Sequence, residues 1–328
     1  MTTPATGFQT MFDRTTLLLG LAVLVAATVT LWVVLSRPAL TPEKLRAAYA
    51  DPAPAPPAHG LRVFHLGHSL VGRDMPAMLA QLAGDKHHYE SQLGWGTSLK
   101  EHYEPAETIN GFEQENDHPR FRPAREAIGS GDYDAVILTE MVEIRDAIKY
   151  HDSSKYVARW ASLAREANPQ TRLYLYETWH KLDDPDGWLD RLDADLDRYW
   201  IGELLQQDFT RNIPERPVYL IPAGQVMARF VRKVEDTGGI GDITSREDLF
   251  QRKDSGEIDP IHINDLGAYL VALTHYAVLY QTSPVGLRHE LTRADGTEAD
   301  APTEATARLM QQVVWDVVRA RPETGVPR

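Results

Sequence analysis

The sequence predicts an α/β protein, a three-layer α/β/α sandwich around a parallel sheet of about five strands, preceded by an N-terminal transmembrane helix. Three observations carry this. From Leu61 onward, short runs rich in β-branched and aromatic residues alternate with longer segments of helical periodicity, a pattern that calls for parallel strands joined by right-handed crossovers. Tyr133 to Thr139 (Tyr-Asp-Ala-Val-Ile-Leu-Thr) is apolar without alternation at its centre, as a strand covered by helices on both faces must be. Leu17 to Leu35 carries no charged residue, and as a helix it would span roughly 28 Å, close to the hydrocarbon thickness of a bilayer.

Taken in order, residues 1–16 form a polar tail and 17–36 the anchor. A signal peptide's apolar region is usually about 7–15 residues, so an uncleaved anchor is expected. Residues 37–60 read as a linker: Thr41 to Ala50 as a short amphipathic helix, then the stiff, extended run Asp51-Pro52-Ala53-Pro54-Ala55-Pro56-Pro57. The main globular domain spans 61–285, and 286–328 is a C-terminal extension with one helix, Thr303 to Arg319. Within the domain, strands are expected at Leu61 to Leu66, His88 to Leu93, Tyr133 to Thr139, Arg172 to Tyr176 and Pro217 to Ile221. Helices are expected from Met75-Pro76 with Asp74 as cap, over Pro119 to Ile128, Ser154 to Ala167 and Trp188 to Leu205, through Gln225 to Val234, and over Leu266 to Tyr280 with Asn264 as cap. Gly238 to Gly256 reads as a long loop near the site, a partial lid.

With 328 residues there is room for one large α/β domain plus extensions, and 43% apolar with 25% charged residues is ordinary for a globular chain. A net charge of -13 argues against a nucleic-acid partner, which needs a basic face. The absence of cysteine excludes disulfides, thiolate metal sites and cysteine nucleophiles.

The chemistry concentrates in two stretches. Val63-Phe64-His65-Leu66-Gly67-His68-Ser69-Leu70 reads as a buried strand that turns sharply at Gly67 and exposes the Ser69 hydroxyl at its C-terminal end, where open α/β sheets bind ligands. Asp259-Pro260-Ile261-His262 puts a carboxylate and an imidazole three residues apart, on one turn, so that Asp259 can hold the ring's Nδ1–H while Nε2 faces Ser69. Either stretch alone says little: strand-end serines commonly cap helices, and D-x-x-H recurs by chance. Glu177-Thr178-Trp179-His180 follows a strand onto the same rim, with Trp179 as a platform for a sugar ring and Glu177 as a hydroxyl acceptor, or else with Trp179 as a buried rim aromatic. Asp183-Asp184-Pro185-Asp186-Gly187 lacks EF-hand spacing, and no metal or cofactor is expected. His87-His88 has no partner at ligand spacing and reads as surface.

Together these stretches resemble the SGNH or GDSL hydrolase superfamily over residues 61 to 283. Gly67-His68-Ser69-Leu70 matches its nucleophile block, Gly94-Trp95-Gly96-Thr97-Ser98-Leu99 its oxyanion-glycine block, and Asp259-Pro260-Ile261-His262-Ile263-Asn264 its D-x-x-H block ahead of a helix. The resemblance implies Ser69, Asp259 and His262 as catalytic residues, with oxyanion donors from Ser69 and Gly96 and Gly94 in reserve. It departs at the third block, where the family's Gly-x-Asn-Asp is replaced by Leu138-Thr139-Glu140-Met141, and an ionised glutamate cannot donate. Glu140 and His68 are therefore placed on the possible substrate rim, although His68 also suits a packing role in the turn. The expected function is that of a membrane-anchored serine esterase removing short acyl groups, acetyl above all, from carbohydrate, with the domain outside the cytoplasm. A glycan O-acyltransferase with the same triad and a non-catalytic carbohydrate-binding or envelope-assembly protein are the alternatives.

Overall fold

The computed structural model describes residue 49 and residues 55–104, 106–208 and 217–328. The expected anchor lies outside the described residues, among which no helix is long and apolar enough to cross a membrane. In chain order, β1 (Arg62–His68) leads to α1 (Asp74–Ala83) and β2 (His88–Gly94). Three short helices, α2 (Leu99–Tyr103), α3 (Phe112–Asn116) and α4 (Ala124–Ser130), precede β3 (Ala135–Thr139). Helices α5 (Ile144–His151) and α6 (Ser153–Ala167) precede β4 (Arg172–Glu177). Helix α7 (Trp188–Asp195) runs into a π-wound segment, Leu196–Leu205, ahead of β5 (Val218–Pro222). Then come α8 (Ala223–Thr237), a 3₁₀ turn (Arg246–Leu249), β6 (Phe250–Arg252), β7 (Ile258–Ile263), α9 (Asp265–Tyr280) and α10 (Glu304–Ala320).

The first five strands are all parallel, in the order β2-β1-β3-β4-β5. Strand order reverses between β1 and β3, so the crevice at their carboxyl ends is the place where such a sheet takes a ligand. Helix α9 packs against α1, α8 and α10 on one face, while α4 and the π-wound segment pack on α6 on the other. Helix α9 is buried at nearly every position from Leu266 to Leu279, which explains why its sequence is apolar on all sides: it is the middle helix of its layer. Tyr49, in the stretch read as linker, is buried, and its hydroxyl donates to Val218 O on β5.

Four expectations need correcting. The helix expected over Pro119 to Ile128 starts only at Ala124 and runs to Ser130, with Pro119 to Pro123 in turn and extended chain. Asp74 does not cap α1; its Oδ1 accepts Ala294 N–H instead, tying the extension to the domain. The helix from Trp188 is not α-helical throughout, because it relaxes to π winding from Leu196, with Gln206 N–H donating to Ile201 O. Residues 238–256 are not simply a loop: Phe250–Arg252 pairs antiparallel with Ile258–Ile263, forming a small hairpin. A three-residue strand with two exposed positions leaves too short a periodic signal to read.

Candidate active site

Ser69 follows directly on β1 in a tight turn, in which Val71 N–H donates to His68 O at 2.9 Å. Gly67 is required there by close approach: a Cβ would fall 2.6 Å from Thr139 Cβ and 2.9 Å from Val71 Cγ2. Two buried imidazoles clip the turn. His68 Nε2–H donates to Glu140 O (2.9 Å), and its Nδ1 receives Leu70 N–H (3.4 Å). His102 Nε2–H donates to Gly67 O (2.7 Å), with its Nδ1 receiving the Gln92 amide (2.9 Å). Burial pushes both rings down to about 4, so they stay neutral and each keeps one donor and one acceptor. The Tyr176 hydroxyl closes the frame by donating to Leu70 O.

His262 reaches this turn from β7, across 193 residues of sequence. Its Nδ1–H donates to Asp259 Oδ2 at 3.0 Å, which leaves Nε2 to accept from Ser69 Oγ at 3.0 Å. Asp259 and His262, expected on one turn, lie on the strand β7. What brings their side chains together is Asp259 Oδ1, which accepts the N–H groups of Ile261 (2.9 Å) and His262 (3.0 Å) and folds the strand around Pro260. Partial burial alone would raise the Asp259 carboxyl; hydrogen bonds from the His262 ring and from these two N–H groups outweigh it and hold the carboxyl at about 2.

These residues border a cleft of about 570 Å³ whose walls include His68, Ser69, Gly96 and His262. Of the two candidate oxyanion glycines, Gly96 lines the cleft, with φ +57° and open space where a Cβ would be. Gly94 ends β2 and is packed against Thr97 and Ile109, so its place is structural. Neither Glu140 nor Glu177 is on the rim. Both are buried: Glu140 Oε1 accepts Leu99 N–H (3.2 Å) and Met141 N–H (2.8 Å), and Glu177 is held by Gln225 N–H and its side-chain amide. Burial raises Glu140 to about 7 and Glu177 to about 8. Trp179 is likewise 1% exposed, and its indole N–H donates to Ile261 O (2.8 Å), bracing the triad hairpin instead of facing substrate. His87, read as surface, is buried against Tyr280.

Several cleft residues escaped the sequence reading, Trp95 and Lys181 among them. Trp95 is 51% exposed on the cleft wall, and Lys181, in the segment after β4, lines the same cleft. Trp95 stands inside the block quoted for its glycines, but nothing local distinguishes an exposed tryptophan from a core one. One partly buried cluster, Glu143, His180 and Asp195, has ligand-capable atoms within 4.8 Å of one another. The Arg191 guanidinium already donates to Glu143, Asp195 and Asp184, so a side-chain cation fills the role that a metal would take.

No protein-family model matches the chain, and no curated protein matches it. Among solved structures it is similar to a DUF4886 family protein from Bacteroides uniformis (13% identity, TM-score 0.48, covering 79% of this chain and 95% of that one). It is also similar to a carbohydrate esterase family 3 protein from Talaromyces cellulolyticus (15% identity, TM-score 0.35, covering 67% and 97%). A gut microbial diltiazem-metabolizing enzyme matches at 10% identity and TM-score 0.35, covering 69% of this chain and 48% of that one.

Proposed function

We propose that the chain is a serine esterase of SGNH type, anchored by its N-terminal helix outside the cytoplasm, which removes short acyl groups from carbohydrate. The observation that carries the reading is the hydrogen-bonded line Ser69–His262–Asp259, two steps of 3.0 Å, opening onto a cleft at the switch point of the sheet. In this mechanism His262 Nε2 takes the Ser69 proton as Oγ attacks the ester carbonyl, and returns it to the departing sugar oxygen. Asp259 holds the ring tautomer and stabilises the imidazolium. The N–H groups of Ser69 and Gly96 receive the oxyanion, each worth about 2.7–4 kcal/mol. Water, deprotonated by His262, then releases the acid from acyl-Ser69.

The test is hydrolysis of a short-chain acyl ester by the full chain and its Ser69→Ala variant, with labelling by a serine-directed fluorophosphonate. Turnover in the wild type, its loss in Ser69→Ala, and label on Ser69 alone are expected. Wild-type rates in Ser69→Ala would refute the assignment of the nucleophile.

A further inference from the structure

Trp95 is built to present a ring face. Its indole N–H donates to Glu115 Oε1 at 2.8 Å and its backbone N–H to Asn110 O at 2.7 Å. The ring lies on Gly111, which has φ +67° and where a Cβ would fall 2.2 Å from ring atom Cδ2. A glycine is therefore needed beneath the ring, and the ring cannot turn without breaking the Glu115 bond. The remaining surface stays half exposed beside Gly96 and Ser69, along the same cleft. A fixed, half-exposed indole next to a nucleophile offers a flat apolar surface to a flat partner.

Lys181 adds a charge. It forms no ion pair among the described residues, and two of the three acids that follow it are engaged elsewhere, Asp184 with Arg191 and Asp186 with Arg145. Glu115, the other formally charged residue on the cleft wall, accepts the indole N–H and keeps its own negative charge beside the ring. The Lys181 backbone is fixed next to the triad strand, because Leu182 N–H donates to Pro260 O at 2.8 Å. In a chain of net charge -13, an anionic ligand is repelled at long range, so binding it needs a local cation. A neutral ester would need none.

We infer that the cleft selects an O-acylated pyranose carrying a negative charge, with the apolar face of the sugar on Trp95 and the anionic group on Lys181. This deepens the esterase reading and rests on it. The charge could be a sugar carboxylate or a sugar phosphate; a single ammonium serves either.

The experiment has two arms. In the first, the full-length Ser69→Ala protein is titrated calorimetrically with an acetylated uronic acid, an acetylated hexose phosphate and a neutral acetylated hexose, so that binding is read without turnover. Tighter binding of one or both charged sugars than of the neutral one, by about tenfold, is expected, and Lys181→Met in the same background should abolish that preference while Lys181→Arg keeps it. Which charged sugar binds better identifies the anion. Trp95→Ala should weaken all three by about tenfold, and Trp95→Phe should recover most of the loss. Equal affinity for charged and neutral sugars, or a preference that survives Lys181→Met, overturns the anion assignment; Trp95→Ala binding like the parent overturns the platform. The second arm measures wild-type hydrolysis of the same three esters and of 4-nitrophenyl acetate. If none is hydrolysed while the charged sugars still bind, the esterase reading fails and the subsite stands. If the aryl ester is hydrolysed and no sugar binds, the esterase reading stands and the subsite fails.

Discussion

Ser69 follows a strand in which every residue but the first is buried, whereas Asp259 and His262 belong to a strand in which none is fully buried. The Ser69 turn is locked from below by Gly67 against Thr139 and from the sides by two neutral histidines. His262 arrives on a two-stranded hairpin held at a few points: Trp179 on Ile261 O, Leu182 on Pro260 O, and the Asn264 amide on Asp248 O. The comparison teaches a division of labour. The core fixes where Ser69 Oγ sits, and a less buried hairpin sets whether His262 is in line with it; in the proposed mechanism these are the nucleophile and its base. Substitutions on the two sides should therefore separate stability from activity.

The largest effect tests the hairpin side. His262→Ala should lower ester turnover by about a thousandfold or more, since an unassisted hydroxyl is a poor nucleophile and triad members act as a unit. Its side chain is 38% exposed, so the unfolding midpoint should barely move, with a change within about 0.5 kcal/mol. Both are read on one preparation, and a variant that lost its fold together with its activity would contradict the division. Gly67→Ala tests the other side. A methyl 2.6 Å from Thr139 Cβ overpacks the core, costing about 1–3 kcal/mol, and shifts Ser69 relative to His262, so stability and turnover should fall together. Denaturant unfolding with wild-type stability would show that the turn is softer than its contacts imply.

That contrast also explains what the sequence revealed. The five parallel strands were readable because β1, β3 and β5 are short apolar runs bounded by turn residues, and burial on both faces leaves that signature in local composition. Ser69 and the Asp259–His262 pair were readable as candidates from spacing, and Gly96 from its block. The hairpin was not, because Gln251 and Arg252 are exposed and leave no periodicity. Nor were the burial states of Glu140, Glu177 and Trp179 at strand ends, where local sequence cannot tell a rim from a floor. Gln225 and Ile261, which hold Glu177 and Trp179, are 48 and 82 residues away from them in the chain.

An effect of intermediate size comes from the charges buried under the site. His65, His68, His87, His102 and His275 are all pushed below their ordinary value by burial, so unfolding takes up protons below about 6.5 and stability falls as the pH drops from there toward 4. Glu140 and Glu177 are shifted the other way, to about 7 and about 8; unfolding releases their protons, so stability falls as the pH rises from 4.5 through these values. Five histidines outweigh two glutamates on the acid side and are silent above about 6.5, which places the maximum near that pH. Urea midpoints at pH 5, 6.5 and 8 should trace this dome. Glu140→Gln keeps an acceptor for Leu99 and Met141 but cannot ionise, so it should flatten the alkaline limb by about 1–3 kcal/mol at pH 8. Parallel limbs in the two proteins would mean that Glu140 does not hold its proton in the fold.

The smallest effect probes the brace between the two regions. Trp179 stands on the sheet side, beside Tyr176, and its one polar atom holds the hairpin through Ile261 O, next to His262. Trp179→Phe keeps an aromatic ring but removes that donor, leaving a carbonyl unpaired and a small void, at a cost of about 1–2 kcal/mol. The hairpin keeps its Leu182 and Asn264 attachments, so it should loosen, not detach. The consequence should be a severalfold fall in kcat with KM nearly constant, because His262 moves relative to Ser69 while the cleft walls at Trp95 and Lys181 stay in place. A rise confined to KM would instead make Trp179 a substrate contact, returning it to the rim that its burial denies it.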